Sequence, residues 1–102
     1  MKKTALVVLV FVAGMGVSQA APHHPRRAQV NLRLARQNYR IDKKVDDGKM
    51  TAAEGKTLHK EDHQIRQEER DMASQDGGHI TKQEQKTLNQ QENVVSKEIR
   101  NN

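Results

Sequence analysis

The chain has 102 residues, with 18 basic and 13 acidic side chains, five histidines and a formal charge of +5. It has no cysteine, which excludes both a disulfide framework and thiol chemistry, and its length limits it to one small domain. Aromatic residues make up 2% of the sequence and charged residues 30%, too little apolar material to wall a dry catalytic pocket, so an enzyme is not expected.

Residues 1–20 read as a cleaved secretory signal. Lys2 and Lys3 form a positive start, Ala5 to Val17 is an uncharged apolar run, and Ser18-Gln19-Ala20 supplies a small-x-small cleavage pattern. The run is shorter than the roughly 20 residues a spanning helix needs. The expectation is therefore a periplasmic or secreted protein, not an integral membrane protein, whose mature chain begins at Ala21. Residues 21–27, Ala-Pro-His-His-Pro-Arg-Arg, contain two prolines and no apolar periodicity, and read as a flexible basic arm. Pro22 has no N–H to deprotonate, so a four-nitrogen copper or nickel clamp on His23 is excluded, although looser coordination by His23 and His24 is not.

From Ala28 the pattern turns helical, and three helices are expected at about 28–46, 51–74 and 81–100. Along the first, Val30, Leu34, Ile41 and Val45 share one face, while Ala28, Leu32, Ala35 and Tyr39 form a second stripe roughly opposite. This helix has two faces to bury, one of them against the other helices or a second molecule. Between the stripes, Arg33, Arg36, Arg40 and Lys43 line up as a basic ridge. The second helix has a narrow seam, Leu58, Ile65 and Met72, and Gly55 inside it costs on the order of 1 kcal/mol relative to Ala. An Asp62–Arg66 pair recovers a few tenths. The third helix carries Leu88, Val95 and Ile99, with Val94 off the seam.

The two connections repeat each other. Gly48, Thr51 and Glu54 return thirty residues later as Gly78, Thr81 and Glu84, and laying 46–72 on 76–102 gives nine identities, so residues 28–102 read as one helical domain containing a duplicated unit. In each copy a Gly ends one helix and a Thr-x-x-Glu capping box starts the next. Met50 and Ile80 precede the capping threonines and are expected to plug the ends of the core. The fold class is all-α, a three-helix up-down-up bundle with short Gly turns.

His59 and His63 are four residues apart on the second helix, a spacing that lets two imidazoles face one divalent metal, with His79, Glu61 or the arm as a third ligand. The glycine turns resemble the second half of an EF-hand calcium loop, since Gly48, Met50 and Glu54, and Gly78, Ile80 and Glu84, match its positions six, eight and twelve. Positions one and three do not match: Lys43 and Val45 stand there in the first turn, Ala73 and Gln75 in the second. No cofactor is otherwise implied. The basic ridge offers contact with an anionic surface, but one aromatic in the mature chain and no recognisable motif argue against specific nucleic-acid readout. Leu32 and Tyr39, flanked by Arg33, Arg36, Arg40 and Lys43, are the residues expected to meet a protein partner, a second copy included.

With Arg36-Gln37-Asn38, Ile41, the two turns and Leu88, the chain resembles a group of small exported bacterial proteins with repeated Gly-x-apolar-Thr-x-x-Glu turns, a resemblance that implies no biochemical activity. Met50-Thr51-Ala52-Ala53-Glu54 and Ile80-Thr81-Lys82-Gln83-Glu84 are also similar to the Leu-Thr-x-x-Gln marker of the Spy and CpxP periplasmic stress proteins. That resemblance implies a helical cradle for unfolded clients or a periplasmic partner of a sensor.

Overall fold

The computed structural model describes residues 24–102. The signal assigned to 1–20 and the start of the arm, 21–23, lie outside the described residues. Three helices, α1 (Pro25–Asp46), α2 (Ala52–Gln75) and α3 (Lys82–Arg100), pack pairwise against one another, and the described residues contain no strand. Arg33 reaches Asn89, Arg40 reaches Ser96 and Lys44 reaches Ile99, a nearly constant offset that makes α1 and α3 parallel. Arg27 meets Glu69 whereas Asn38 meets His59, so α2 runs antiparallel to α1. This is the up-down-up bundle expected from the sequence.

The arm does not extend to Arg27. Pro25 occupies the first turn of α1, where its fixed φ suits the helix and its missing N–H has no intrahelical acceptor to lose. Arg26 and Arg27 are thereby fixed on the helix, and both clamp it to the α2–α3 turn. Arg26 donates to the Ile80 carbonyl at 3.2 Å, and Arg27 donates to the Gly78 carbonyl at 3.4 Å while pairing with the Glu69 carboxylate. At the other end Lys44 donates to the carbonyls of Ile99 (2.6 Å) and Asn102 (2.8 Å), holding the C-terminal end of α3 against α1.

Both capping boxes form. The Glu54 and Glu84 amides donate to the hydroxyls of Thr51 and Thr81 at 3.0 Å, and each carboxylate accepts the threonine N–H in return, at 3.0 and 2.8 Å. Gly48 and Gly78 hold positive φ of 75° and 94°, which turns the chain back without the strain a Cβ would bring. Met50 and Ile80, next to the threonines, are buried and close the two ends of the core.

Each helix buries a run of four positions at the same 4-3-4 spacing: Val30, Leu34, Gln37 and Ile41 on α1; Leu58, Asp62, Ile65 and Glu69 on α2, which also buries Gly55 and Ala73; Leu88, Glu92, Val95 and Ile99 on α3. Fully burying each aliphatic side chain among them contributes about 1.5–3 kcal/mol. The seam of α2 differs from the expected one, because Glu69 and Ala73 are buried where Met72 was expected to point inward, leaving Met72 half-buried at the margin. Strict seven-residue spacing drifts by about 20° per heptad on a straight helix, and α2 follows the four-residue steps instead. Gly55 is also explained by packing. A Cβ built there would lie 2.7 Å from Val45 Cγ2, so the first turn of α2 approaches the end of α1 more closely than any side chain allows.

Candidate functional site

Of the two apolar faces of α1, the bundle covers one. Ala28, Leu32, Ala35 and Tyr39 all face solvent, with Leu32 54% and Tyr39 67% exposed, while the opposite stripe of Val30, Leu34 and Ile41 is closed over by α2 and α3. The outward stripe has the same 4-3-4 spacing as the core-facing one, the spacing that lets one helix lie along another.

The basic ridge is divided by its contacts. Arg33 donates to the Asn89 carbonyl and to the Asn93 side chain, and Arg40 donates to Ser96 Oγ at 3.1 Å, so both are drawn sideways onto α3. Lys43 lies 3.6 Å from Asp47, an exposed pair of small energetic value. Arg36, exposed beside Leu32 and Tyr39, makes no ion pair or hydrogen bond with the described residues. The ridge therefore presents one uncommitted guanidinium where four neighbouring charges were expected.

The histidines are not gathered into one centre. His59 is held between α1 side chains, Nδ1 2.7 Å from Asn38 Oδ1 and Nε2 2.7 Å from Asp42 Oδ1, and works as a cross-helix bridge. His63 lies one turn on, exposed along the same α1–α2 groove. His79 sits at the other end of the molecule, its Nδ1 3.1 Å from that of His24. From residue 24 to residue 38, α1 alone rises about 21 Å at 1.5 Å per residue, so His79 cannot join His59 and His63 on one ion. Among the described residues no group of three or more histidines and carboxylates is placed to hold a metal. Glu54 and Glu84, the twelfth-position carboxylates of the EF-hand likeness, point back to their own threonines.

A feature absent from the sequence reading lies in the centre of the bundle. Asp62 and Glu92 are 1% and 0% exposed, and none of their four carboxyl oxygens has a hydrogen-bond partner. Gln37, from α1, completes the layer by donating to the Glu92 backbone carbonyl at 2.7 Å. Burial pushes the Asp62 carboxyl up to about 7, with the His59 charge opposing, and the Glu92 carboxyl up to about 8, with Arg33 opposing and Asp62 adding to the rise. Near the surface, burial and the adjoining Glu98 carboxyl raise Glu61 to about 7. The expected Asp62–Arg66 pair does not form: both Asp62 oxygens and Arg66 Nε are without partners. Glu69 is the third buried acid, and Arg27 neutralises it. The signal that would have found the layer is the 4-3-4 spacing itself, which places Asp62 between Leu58 and Ile65, and Glu92 between Leu88 and Val95.

The fold defines an all-α three-helix bundle, with no helix among the described residues long and apolar enough to cross a membrane. No protein-family model, curated protein or solved structure matches the chain.

Proposed function

We propose that the protein is an exported, non-enzymatic interaction protein that binds a protein segment along the outward face of α1. One observation carries the reading: a helix-spaced apolar stripe, Ala28, Leu32, Ala35 and Tyr39, stands in solvent on a bundle whose other stripes are packed. Arg36 beside it selects the partner. A segment that sets apolar side chains against Leu32 and Tyr39 and a carboxylate against Arg36 complements this face in both shape and charge. A second α1 would bring Arg36 against another Arg36-bearing face, which disfavours self-association. Chaperone-like capture of acidic, partly unfolded chains is the biological form of this reading that fits the resemblance to periplasmic stress proteins.

The test is binding of a fluorescent acidic amphipathic helical peptide and of its basic counterpart, measured by anisotropy. Leu32→Gln with Tyr39→Gln should weaken the acidic peptide at least tenfold, about 1.4 kcal/mol, with the helical signal unchanged. Equal affinity for both peptides, or an unaffected double variant, overturns the proposal, and a dimer in sedimentation that the same substitutions dissolve makes the partner a second copy. The alternative of divalent-metal binding now rests on the His24–His79 contact, since His59 is engaged with Asn38 and Asp42.

A further inference from the structure

The unpaired buried carboxyls serve neither packing nor the partner face. An ionised carboxylate removed from water without hydrogen bonds or a counter-charge is among the costliest groups a small core can hold, and a neutral carboxylic acid is far cheaper. Here there are two in one layer, on neighbouring helices, with four oxygens and no donor. They stand thirty residues apart, the offset that separates the two capping boxes, so α2 and α3 each contribute one at the same height in their buried pattern.

We propose that the Asp62–Glu92 layer is a proton-operated latch, which keeps α2 and α3 closed on α1 while both carboxyls are protonated and loosens the bundle when they ionise. The surroundings do little to offset ionisation. Towards Asp62 face His59 and Glu61 on its own helix, with His63 and Arg66 along the same groove, neutral Asn31 and Asn38 from α1, and Glu92 from α3. Towards Glu92 face Arg33 from α1 and Asp62 from α2, and the amide of Gln37 is engaged with the Glu92 backbone carbonyl. Arg33 itself is held outward by Asn89 and Asn93. The contrast with Glu69 is internal to the molecule, because that equally buried acid has been given Arg27.

The direction of the pH dependence follows. Both acids hold their protons in the folded protein to about pH 7 and 8, whereas unfolded they release them near 3.8 and 4.5. The native state therefore binds more protons than the unfolded state across that window, so stability is greatest in acid and declines as pH rises toward 8. Alkaline conditions expose the apolar seam of α2 and α3, and acid restores closure.

The test is a helical circular dichroism melt of the purified protein at pH 5.5 and 8.5. The expected midpoint is lower at pH 8.5 by roughly 10 °C or more, because each kcal/mol moves a domain of this size by about 4–8 °C. Two double variants, Asp62→Asn with Glu92→Gln and Asp62→Leu with Glu92→Leu, should each remove more than half of that difference, the remainder belonging to Glu61, and the leucine pair guards against failure of the amide pair to fold. Glu61→Gln with Glu98→Gln, which removes the surface acid pair, should retain most of the difference. A wild-type midpoint that is the same at both pH values, a difference left undiminished in the leucine pair, or a difference abolished by the surface pair overturns the latch.

Discussion

Replacing Gly55 by alanine sets two effects of opposite sign against each other. In an exposed helix the change stabilises by about 1 kcal/mol, since alanine is the best helix former and glycine among the worst. Here the added methyl arrives 2.7 Å from Val45 Cγ2 and 3.5 Å from Ile41 Cγ2. The Ile41 contact is an ordinary one, but Val45 cannot swing away cheaply, because it is β-branched with a strongly preferred rotamer in a helix, and overpacking of this kind costs typically 1–3 kcal/mol. The clash should win by about 1 kcal/mol, lowering the melting midpoint by about 4–8 °C in a domain of this length. Val45→Ala removes the obstructing methyl, so in that background Gly55→Ala should regain its helical advantage and stabilise by up to about 1 kcal/mol. The double-mutant cycle, measured by urea unfolding at one pH, should thus show a coupling of about 2 kcal/mol. If Gly55→Ala stabilises the wild-type protein, or costs the same with and without Val45, the close approach of α1 and α2 is wrong.

Two further substitutions probe the clamps at the ends of the bundle. Arg27→Met leaves Glu69 buried without its counter-charge and should destabilise by about 3–5 kcal/mol; adding Glu69→Met should restore most of the loss, by denaturant unfolding. Lys44→Met withdraws the donor from the last carbonyls of α3 and should cost about 1 kcal/mol, seen as faster amide exchange confined to the final turn of α3.

How much of this was legible in the sequence depended on the kind of signal. The helix starts at Thr51 and Thr81 were readable because a capping box is local chemistry, in which the threonine and the glutamate three residues on satisfy each other without help from the rest of the fold. The core positions Leu58, Ile65, Leu88, Val95 and Ile99 followed from spacing. Asp62, Glu69, Glu92 and Gln37 did not, because polarity by itself places such residues outside, and their burial is decided by which helix faces meet. The start of α1 was misplaced for a related reason: two prolines and two arginines resemble a loose arm, but Pro25 is a good first residue for a helix, and Arg26 and Arg27 gain carbonyl and carboxylate partners only once the α2–α3 turn is beside them. The histidine pair at His59 and His63 had the right spacing for shared coordination, yet spacing on one helix says nothing about Asn38 and Asp42 across the groove. The exposed stripe of Leu32 and Tyr39 was visible as a second apolar face, and the structure places it in solvent.

The most direct measurement on the functional reading is an amide chemical-shift titration of the isotopically labelled protein with the acidic amphipathic peptide. Shifts concentrated on the outward residues of α1, from Ala28 through Leu32, Ala35, Arg36 and Tyr39 to Lys43, and absent from the outer surfaces of α2 and α3, are the expected result. Shifts spread evenly over all three helices, or centred on Lys60 and Gln64 of α2 or on Gln83 and Gln90 of α3, would contradict the α1 partner face.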